Sequence, residues 1–211
     1  MTWISDHYPE VLGVLFSLLY LYFSIRQNIL LWPAGILSAL LYMLVFFRSK
    51  FYADMGLNAY YLVISIYGWI HWSRGRKEGH DELPVSHAGI RLSAILSGIT
   101  LIAFLIIGWF LDRFTDSPVP YWDAFTTAVS FTATWMLARK IVEHWFLWII
   151  VDAVSMGLYL YRGLYPTMFL FLVYSFMAII GYRQWRKNMI IISPGGPTGT
   201  EFPGGAGDQN G

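Results

Sequence analysis

Seven mostly apolar stretches, at residues 9–25, 28–47, 55–73, 92–111, 122–138, 142–161 and 165–185, are separated only by short breaks that carry charge, Pro or Gly. A helix needs about 20 such residues to cross the roughly 30 Å hydrocarbon layer of a membrane. The pattern therefore predicts an all-α polytopic membrane protein with seven transmembrane helices. Composition agrees, because a soluble domain carries about 25% charged residues and this chain of 211 carries 13%. Its function must then reside in polar residues placed where lipid would not tolerate them.

Several classes are excluded at once. The chain has no cysteine, which removes disulfide scaffolds, Cys-ligated metal centres and thiol nucleophiles. No P-loop, HExxH, GxSxG or paired-carboxylate pattern is present, so neither ATP-driven pumping nor intramembrane hydrolysis is indicated. The net charge of +1 gives no reason to expect nucleic acid. His144 beside Glu143 lacks a second ligand at His-x3-His spacing, and no metal or cofactor is expected. The opening Met1–Glu10 has no basic residue and no small-residue cleavage site, so the first helix is expected to be retained.

Charge orients the spans. Arg26, the four basic residues between Arg74 and Arg91, Arg139, Lys140, Arg183, Arg186 and Lys187 share one side, ten in all; Arg48, Lys50, Arg113 and Arg162 share the other. The excess of Lys and Arg marks the cytoplasmic side, which predicts an N-terminus outside and a C-terminus inside. Residues 188–211 are read as a disordered tail, Gly/Pro-rich from Ser193.

An offset of 113 residues superimposes the first three spans on the last three without a gap. Ser17 falls on Ser130, Tyr22 on Trp135, Arg26 on Arg139, Trp32 on Trp145, Tyr61 on Tyr174, Gly68 on Gly181 and Trp72 on Trp185. Glu10 falls on Asp123, each read as an acid favoured at a helix N-terminus. The predicted organisation is a three-helix repeat at 1–73, a cytoplasmic loop with linker helix 92–111 inside 74–121, and a second three-helix repeat at 122–187. An odd number of spans per copy needs one intervening helix to keep the copies parallel, giving 3+1+3. Parallel repeats about an axis along the membrane normal are one established transporter design, with substrate near the midplane.

Asp152 lies near the middle of its span, where a carboxylate costs about 2.5–3.5 kcal/mol on insertion scales. Trp148 precedes it by four residues and so shares its helical face, with Ser155 and Tyr159 extending the stripe. An aromatic plane beside a carboxylate suits a cationic aromatic ligand; the plainer alternative is a hydrogen-bonded packing residue. Asn58, Tyr61, Ser65 and Trp69 form a second polar and aromatic face, which could equally serve interhelical hydrogen bonding. Under the 113-residue offset Asn58 meets Phe171 and Asp152 meets Ala39, an asymmetry that an asymmetric ligand would demand and packing would not. Pro33 either occupies a first helical turn or kinks a helix that starts at Asn28.

The run Trp32-Pro33-x-Gly35, the segment Phe51-Tyr52-Ala53-Asp54-Met55-x-Leu57-Asn58-x-x-Tyr61, the Tyr67-Gly68-Trp69-x-x-Trp72 close, and Trp148-x3-Asp152 before Gly163-Leu164-Tyr165 resemble the PnuC family of bacterial vitamin transporters. The resemblance covers nearly the whole chain before its tail. It implies a SWEET-like 3+1+3 fold, a homotrimer in the bacterial inner membrane, and facilitated diffusion of a vitamin that a cytoplasmic kinase then traps by phosphorylation. The substrate-binding residues it implies, taken with the faces above, are Trp32, Asn58, Tyr61, Trp148, Asp152, Ser155 and Tyr174. Asp152 stands where the nicotinamide riboside carriers have Asn, and Asn58 where Gln is common, which brings in the family's thiamine-transporting branch. Both vitamins are cationic, whereas neutral riboflavin fits a carboxylate less well. Proton-coupled symport through Asp152 and a non-transport assembly role are the alternatives.

Overall fold

The computed structural model describes residues 2–48, 52–75, 83–161, 163 and 165–192. Seven helices follow one another along the chain: α1 (Thr2–Ile25), α2 (Leu31–Arg48), α3 (Tyr52–Gly75), α4 (Ile90–Phe114), α5 (Pro120–Ala138), α6 (His144–Tyr161) and α7 (Tyr165–Ile192). Each falls on a predicted span. Between α1 and α2 the Asn28 side chain accepts the Leu30 N–H at 2.9 Å, a local turn that competes with helix. That delays α2 to Leu31 and leaves Pro33 in its first turn, where a missing N–H costs nothing. Pro120 opens α5 in the same way. Glu10 lies inside α1, not at its start, so of the two acids expected near helix N-termini only Asp123 falls in a first turn. α7 continues through Ile192, and the tail from Ser193 lies outside the described residues.

By length and apolar composition α2, α4, α6 and Met168–Met189 of α7 can each cross a membrane, and α1 is apolar over the shorter Leu12–Ile25. α3 and α5 are more polar because of what they face: Ser65, Ser130, Thr132 and Thr134 are all buried inside the protein. Packing order explains this. α1 packs on α2 and α2 on α3; α5 packs on α6 and α6 on α7; the two triplets join where α3 meets α5 and where α1 meets α7. Among the described residues these six helices thus close a ring. α4 stands outside it, packed on α5, with Thr100 and Thr132 hydroxyls 2.5 Å apart at the contact. Ile95, Ile99, Ile102 and Ile106 of α4 stay exposed, as lipid-facing side chains should.

The buried core is concentrated at the end of the ring that carries Arg26, Arg74, Arg139 and Arg183, called the basic end below. Trp32, Trp72, Trp145, Trp185, Leu31, Leu137 and Val142 form one cluster there. Residues 113 apart make matching contacts in it. Trp32 meets Trp72 edge-on at 5.3 Å and 89°, and Trp145 meets Trp185 at 5.9 Å and 86°. A Cβ on Gly68 would overlap the Trp32 ring, and one on Gly181 the Trp145 ring. The guanidinium of Arg26 lies over Tyr22 and that of Arg139 over Trp135, at 5.6 and 5.5 Å. Gln27 and Lys140, which end the corresponding helices, both adopt left-handed backbone, with φ of 54° and 53°.

Two indoles fasten one triplet to the other. Trp72 Nε1 donates to the Ala138 carbonyl at 3.1 Å, and Trp185 Nε1 to the Ser24 carbonyl at 2.9 Å. Each thereby reaches a carbonyl at the C-terminus of the first helix of the opposite triplet; the Ser24 carbonyl also accepts the Gln27 N–H at 3.1 Å. The segment entering α4 lies across the same end. Ser86 N–H donates to the Lys140 carbonyl and Val142 N–H to the Ser86 carbonyl, both at 3.0 Å. Glu143 accepts the Ala88 N–H at 3.0 Å and lies 2.7 Å from His87 Nδ1.

Gly68→Ala and Gly181→Ala should each destabilise the protein, since overpacking a rigid ring costs about 1–3 kcal/mol. Gly157→Ala, where nothing stands within 4 Å, should not lower the melting temperature. Thermal unfolding in detergent reads all three.

Candidate functional site

α6 carries the central feature. Its apolar sequence suits a span, and the i, i+4 spacing sets Trp148 and Asp152 on one face. Asp152 is 5% exposed and Ser155 7%. Trp148 is half-buried and packs on the basic-end cluster, so at 1.5 Å per residue the carboxylate stands about 6 Å further from that cluster than its aromatic neighbour. No salt bridge reaches Asp152 among the described residues, where the ion pair found joins His87 to Glu143.

Tyrosines are prominent on the neighbouring helices. Tyr174 of α7 lies within electrostatic reach of both Asp152 and Tyr42, which joins α2, α6 and α7 at one place. On the other side of the ring the Tyr61 hydroxyl of α3 is hydrogen-bonded to Ser130 of α5. Tyr60 donates to the Phe131 carbonyl at 2.8 Å and tilts against the Phe131 ring at 4.3 Å. Tyr20 of α1 interacts with both Tyr60 and Tyr61 and packs against Gly35, whose missing side chain makes room for the ring. Tyr174 thus stands near Asp152, whereas Tyr20, Tyr60 and Tyr61 pack, like Trp148, against the tryptophan cluster that closes the ring toward the basic end.

Of the residues read from sequence, Trp148, Asp152, Ser155 and Tyr174 come from the neighbouring helices α6 and α7, and Tyr61 faces them from α3. Asn58 sits one turn beyond Tyr61, partly buried and engaged in an interaction of its own. Trp32 is placed differently. It is fully buried in the basic-end cluster, and its counterpart Trp145 precedes Asp152 by seven residues, about 10 Å of helix. Its motif reflects a packing role against Gly68 and Trp72. Tyr20 and Tyr42 were missed. Tyr42 had a usable signal, since the 113-residue offset sets it opposite Ser155; Tyr20 falls on Ala133 and had none.

His144 sends Nδ1 to the Ile141 carbonyl at 2.8 Å. A carbonyl only accepts, so Nδ1 carries the proton. Among the described residues no group of three His, Cys, Asp or Glu side chains is arranged to hold a metal.

A closed ring of apolar helices with a buried carboxylate and aromatic side chains inside it is the architecture of a multi-pass membrane transporter. The sequence profile of the nicotinamide mononucleotide transporter family matches residues 7–187, and the chain belongs to that family, whose members are transporters and not enzymes. It is 25% identical over 212 aligned positions to the nicotinamide riboside transporter PnuC of Escherichia coli (strain K12), covering 89% of this chain and 87% of that one. It is 27% identical to the riboflavin/roseoflavin transporter RibM of Streptomyces davaonensis, over 84% of each. The fold matches the crystal structure of the vitamin B3 transporter PnuC with a TM-score of 0.70 at 21% identity, covering 91% of this chain and 86% of that one.

Replacing Asp152 by Asn keeps the shape and removes the capacity for buried charge. In the absence of ligand Asp152→Asn should raise the melting temperature, by about 2–4 °C for each kcal/mol of desolvation relieved. Scanning calorimetry of the detergent-purified protein measures it.

Proposed function

We propose that this protein is an inner-membrane facilitator that takes up a cationic B-type vitamin, nicotinamide riboside first, by alternating access without ATP hydrolysis. The observation that carries the reading is Asp152: 5% exposed, without a salt bridge among the described residues, and one helical turn from an indole. A pyridinium ring would gain cation–π attraction from Trp148 and charge neutralisation from Asp152, which offsets the cost of desolvating the carboxylate. Thiamine, with a cationic thiazolium, makes the same two interactions and is the second reading. Riboflavin, which RibM carries by its name, is neutral and would leave the carboxylate uncompensated.

The architecture that supports transport is a pair of parallel three-helix repeats, 1–73 and 122–187, joined by α4. The matching tryptophan, glycine and arginine contacts support it, as does the paired left-handed backbone of Gln27 and Lys140. The ten-to-four distribution of basic residues favours a cytoplasmic basic end and an external N-terminus; a homotrimer is what the family resemblance implies. Phosphorylation of the vitamin by a cytoplasmic kinase would make the flux unidirectional, since the added charge could not re-enter a site built on a carboxylate.

Binding separates these readings. Nicotinamide riboside or thiamine should raise the melting temperature of the native protein, because a ligand that binds only the folded state stabilises in proportion to its occupancy. Asp152→Asn should weaken that binding about tenfold or more, the loss of one charge-assisted contact, and riboflavin should protect least. Protection by riboflavin alone would overturn the cationic-substrate reading. Liposome uptake indifferent to a pH gradient is expected of a facilitator; uptake driven by the gradient and abolished in Asp152→Asn would assign proton symport instead.

A further inference from the structure

Outside the ring, α6 and α7 leave a groove of about 490 Å³ at the basic end. Its walls are apolar, with Phe146 and Tyr182 packed ring to ring at 4.5 Å. Its mouth is cationic: Arg183, Arg186 and Lys187 line it, and their i, i+3, i+4 spacing puts them on one face of α7. All three are exposed, no acidic residue lines the groove, and none of the three has a salt bridge among the described residues.

The scaffold does not require these charges. Under the 113-residue offset Arg183 corresponds to Ile70, Arg186 to Ser73 and Lys187 to Arg74, while Tyr182 corresponds to Trp69 and Ile179 to Ile66. Ile149, Ile179 and Tyr182 thus keep apolar counterparts while Phe146 meets Pro33, and at the three cationic positions the first triplet carries only Arg74, its next cations, Arg76 and Lys77, coming two and three residues later. What is particular to the α7 end is the placing of three cations at the positions beside the apolar wall.

Depth indicates what these cations face. Arg183 lies 18 residues from the start of α7, about 27 Å along the helix, which is where a roughly 30 Å hydrocarbon layer ends. A groove with an apolar interior below that plane and three cations at it is complementary to an acyl chain below and a phosphate above. Basic pockets between transmembrane helices are recognised sites for anionic lipid headgroups.

We propose that the α6–α7 groove is a binding site for an anionic phospholipid of the leaflet at the basic end, with its phosphate held by Arg183, Arg186 and Lys187 and an acyl chain laid against Phe146 and Tyr182. The site is separate from the Asp152 level and does not depend on which vitamin is carried.

The test is thermal unfolding of the full chain in detergent micelles doped with dioleoyl-phosphatidylglycerol or with dioleoyl-phosphatidylcholine. Phosphatidylglycerol should stabilise the native protein beyond phosphatidylcholine. The R183Q/R186Q/K187Q variant should lose that difference, with at least a tenfold rise in the phosphatidylglycerol needed for half-protection. Arg74→Gln, in the corresponding place of the other triplet, should keep it. Should the triple variant fail to fold, Arg186→Gln alone and the groove-filling Ile179→Trp, which retains every cation, should each weaken protection. Equal protection by the two lipids, undiminished protection in these variants, or the same protection by inorganic phosphate would overturn the proposal. So would variants that change the size of the oligomer while leaving lipid protection intact, since the groove would then belong to a contact between copies.

Discussion

The contact on which this architecture most depends is the crossing of two indoles between the helix triplets. Trp72 reaches from α3 to the end of α5, and Trp185 from α7 to the end of α1. Lipid offers no hydrophobic drive for one helix to leave acyl chains and join another, so helices associate through close packing and hydrogen bonds. Both are present here together. Gly68 and Gly181 let Trp32 and Trp145 lie directly on the helix backbone, and those rings in turn support Trp72 and Trp185 edge-on. A helix C-terminus in a membrane otherwise needs water or a cap for its open carbonyls. Drawing donors for these carbonyls from the opposite triplet couples the closure of the ring to its backbone hydrogen bonding.

That closure is at one end only, and it leaves the middle of the ring to residues chosen for other reasons. The correspondence between triplets is close where they bind each other, in Trp32/Trp145, Gly68/Gly181, Trp72/Trp185 and Arg26/Arg139. It breaks toward the centre, where Ala39 meets Asp152, Gly35 meets Trp148 and Tyr42 meets Ser155. Packing between similar units is relieved by similarity, so the divergence is hard to attribute to stability. A small asymmetric ligand would provide the reason, and on the function proposed above the buried carboxylate suits a cation.

Much of this could be read from sequence because the membrane imposes a simple rule on helix length. All seven helices fell on predicted stretches, although among the described residues only α2, α4, α6 and α7 are long and apolar enough to span by themselves. The pairing of residues at a fixed offset also survived into three dimensions as shared contacts. What could not be read was which faces meet. A Trp beside Pro and Gly near a span end, as Trp32 is, is equally the mark of a binding residue and of a packing ring. Only its position against Gly68 decides. Tyr20 was missed for the converse reason: it lies in an ordinary apolar span, and its importance comes from Gly35 on another helix. The strap of residues 83–89 across the basic end had no apolar periodicity at all, being held by backbone pairing with Lys140 and Val142 and by Glu143.

The exchange of bulk between the triplets bears on how the site would behave while the helices move. In the first triplet the space beside Gly35 of α2 is filled by Tyr20, which belongs to α1. In the second, α6 itself supplies the large ring as Trp148, and Ala133 of α5 stands at the position matching Tyr20. The volume is conserved but its owner changes. A ring carried by one helix and a carboxylate carried by another would separate whenever those helices slide or rock. Trp148 and Asp152 share a helix four residues apart, so their spacing is fixed by the backbone hydrogen bonds of α6 and survives any rigid-body motion of that helix. A cation held between them can therefore remain bound while the rest of the ring rearranges around it, which is what alternating access asks of a binding site.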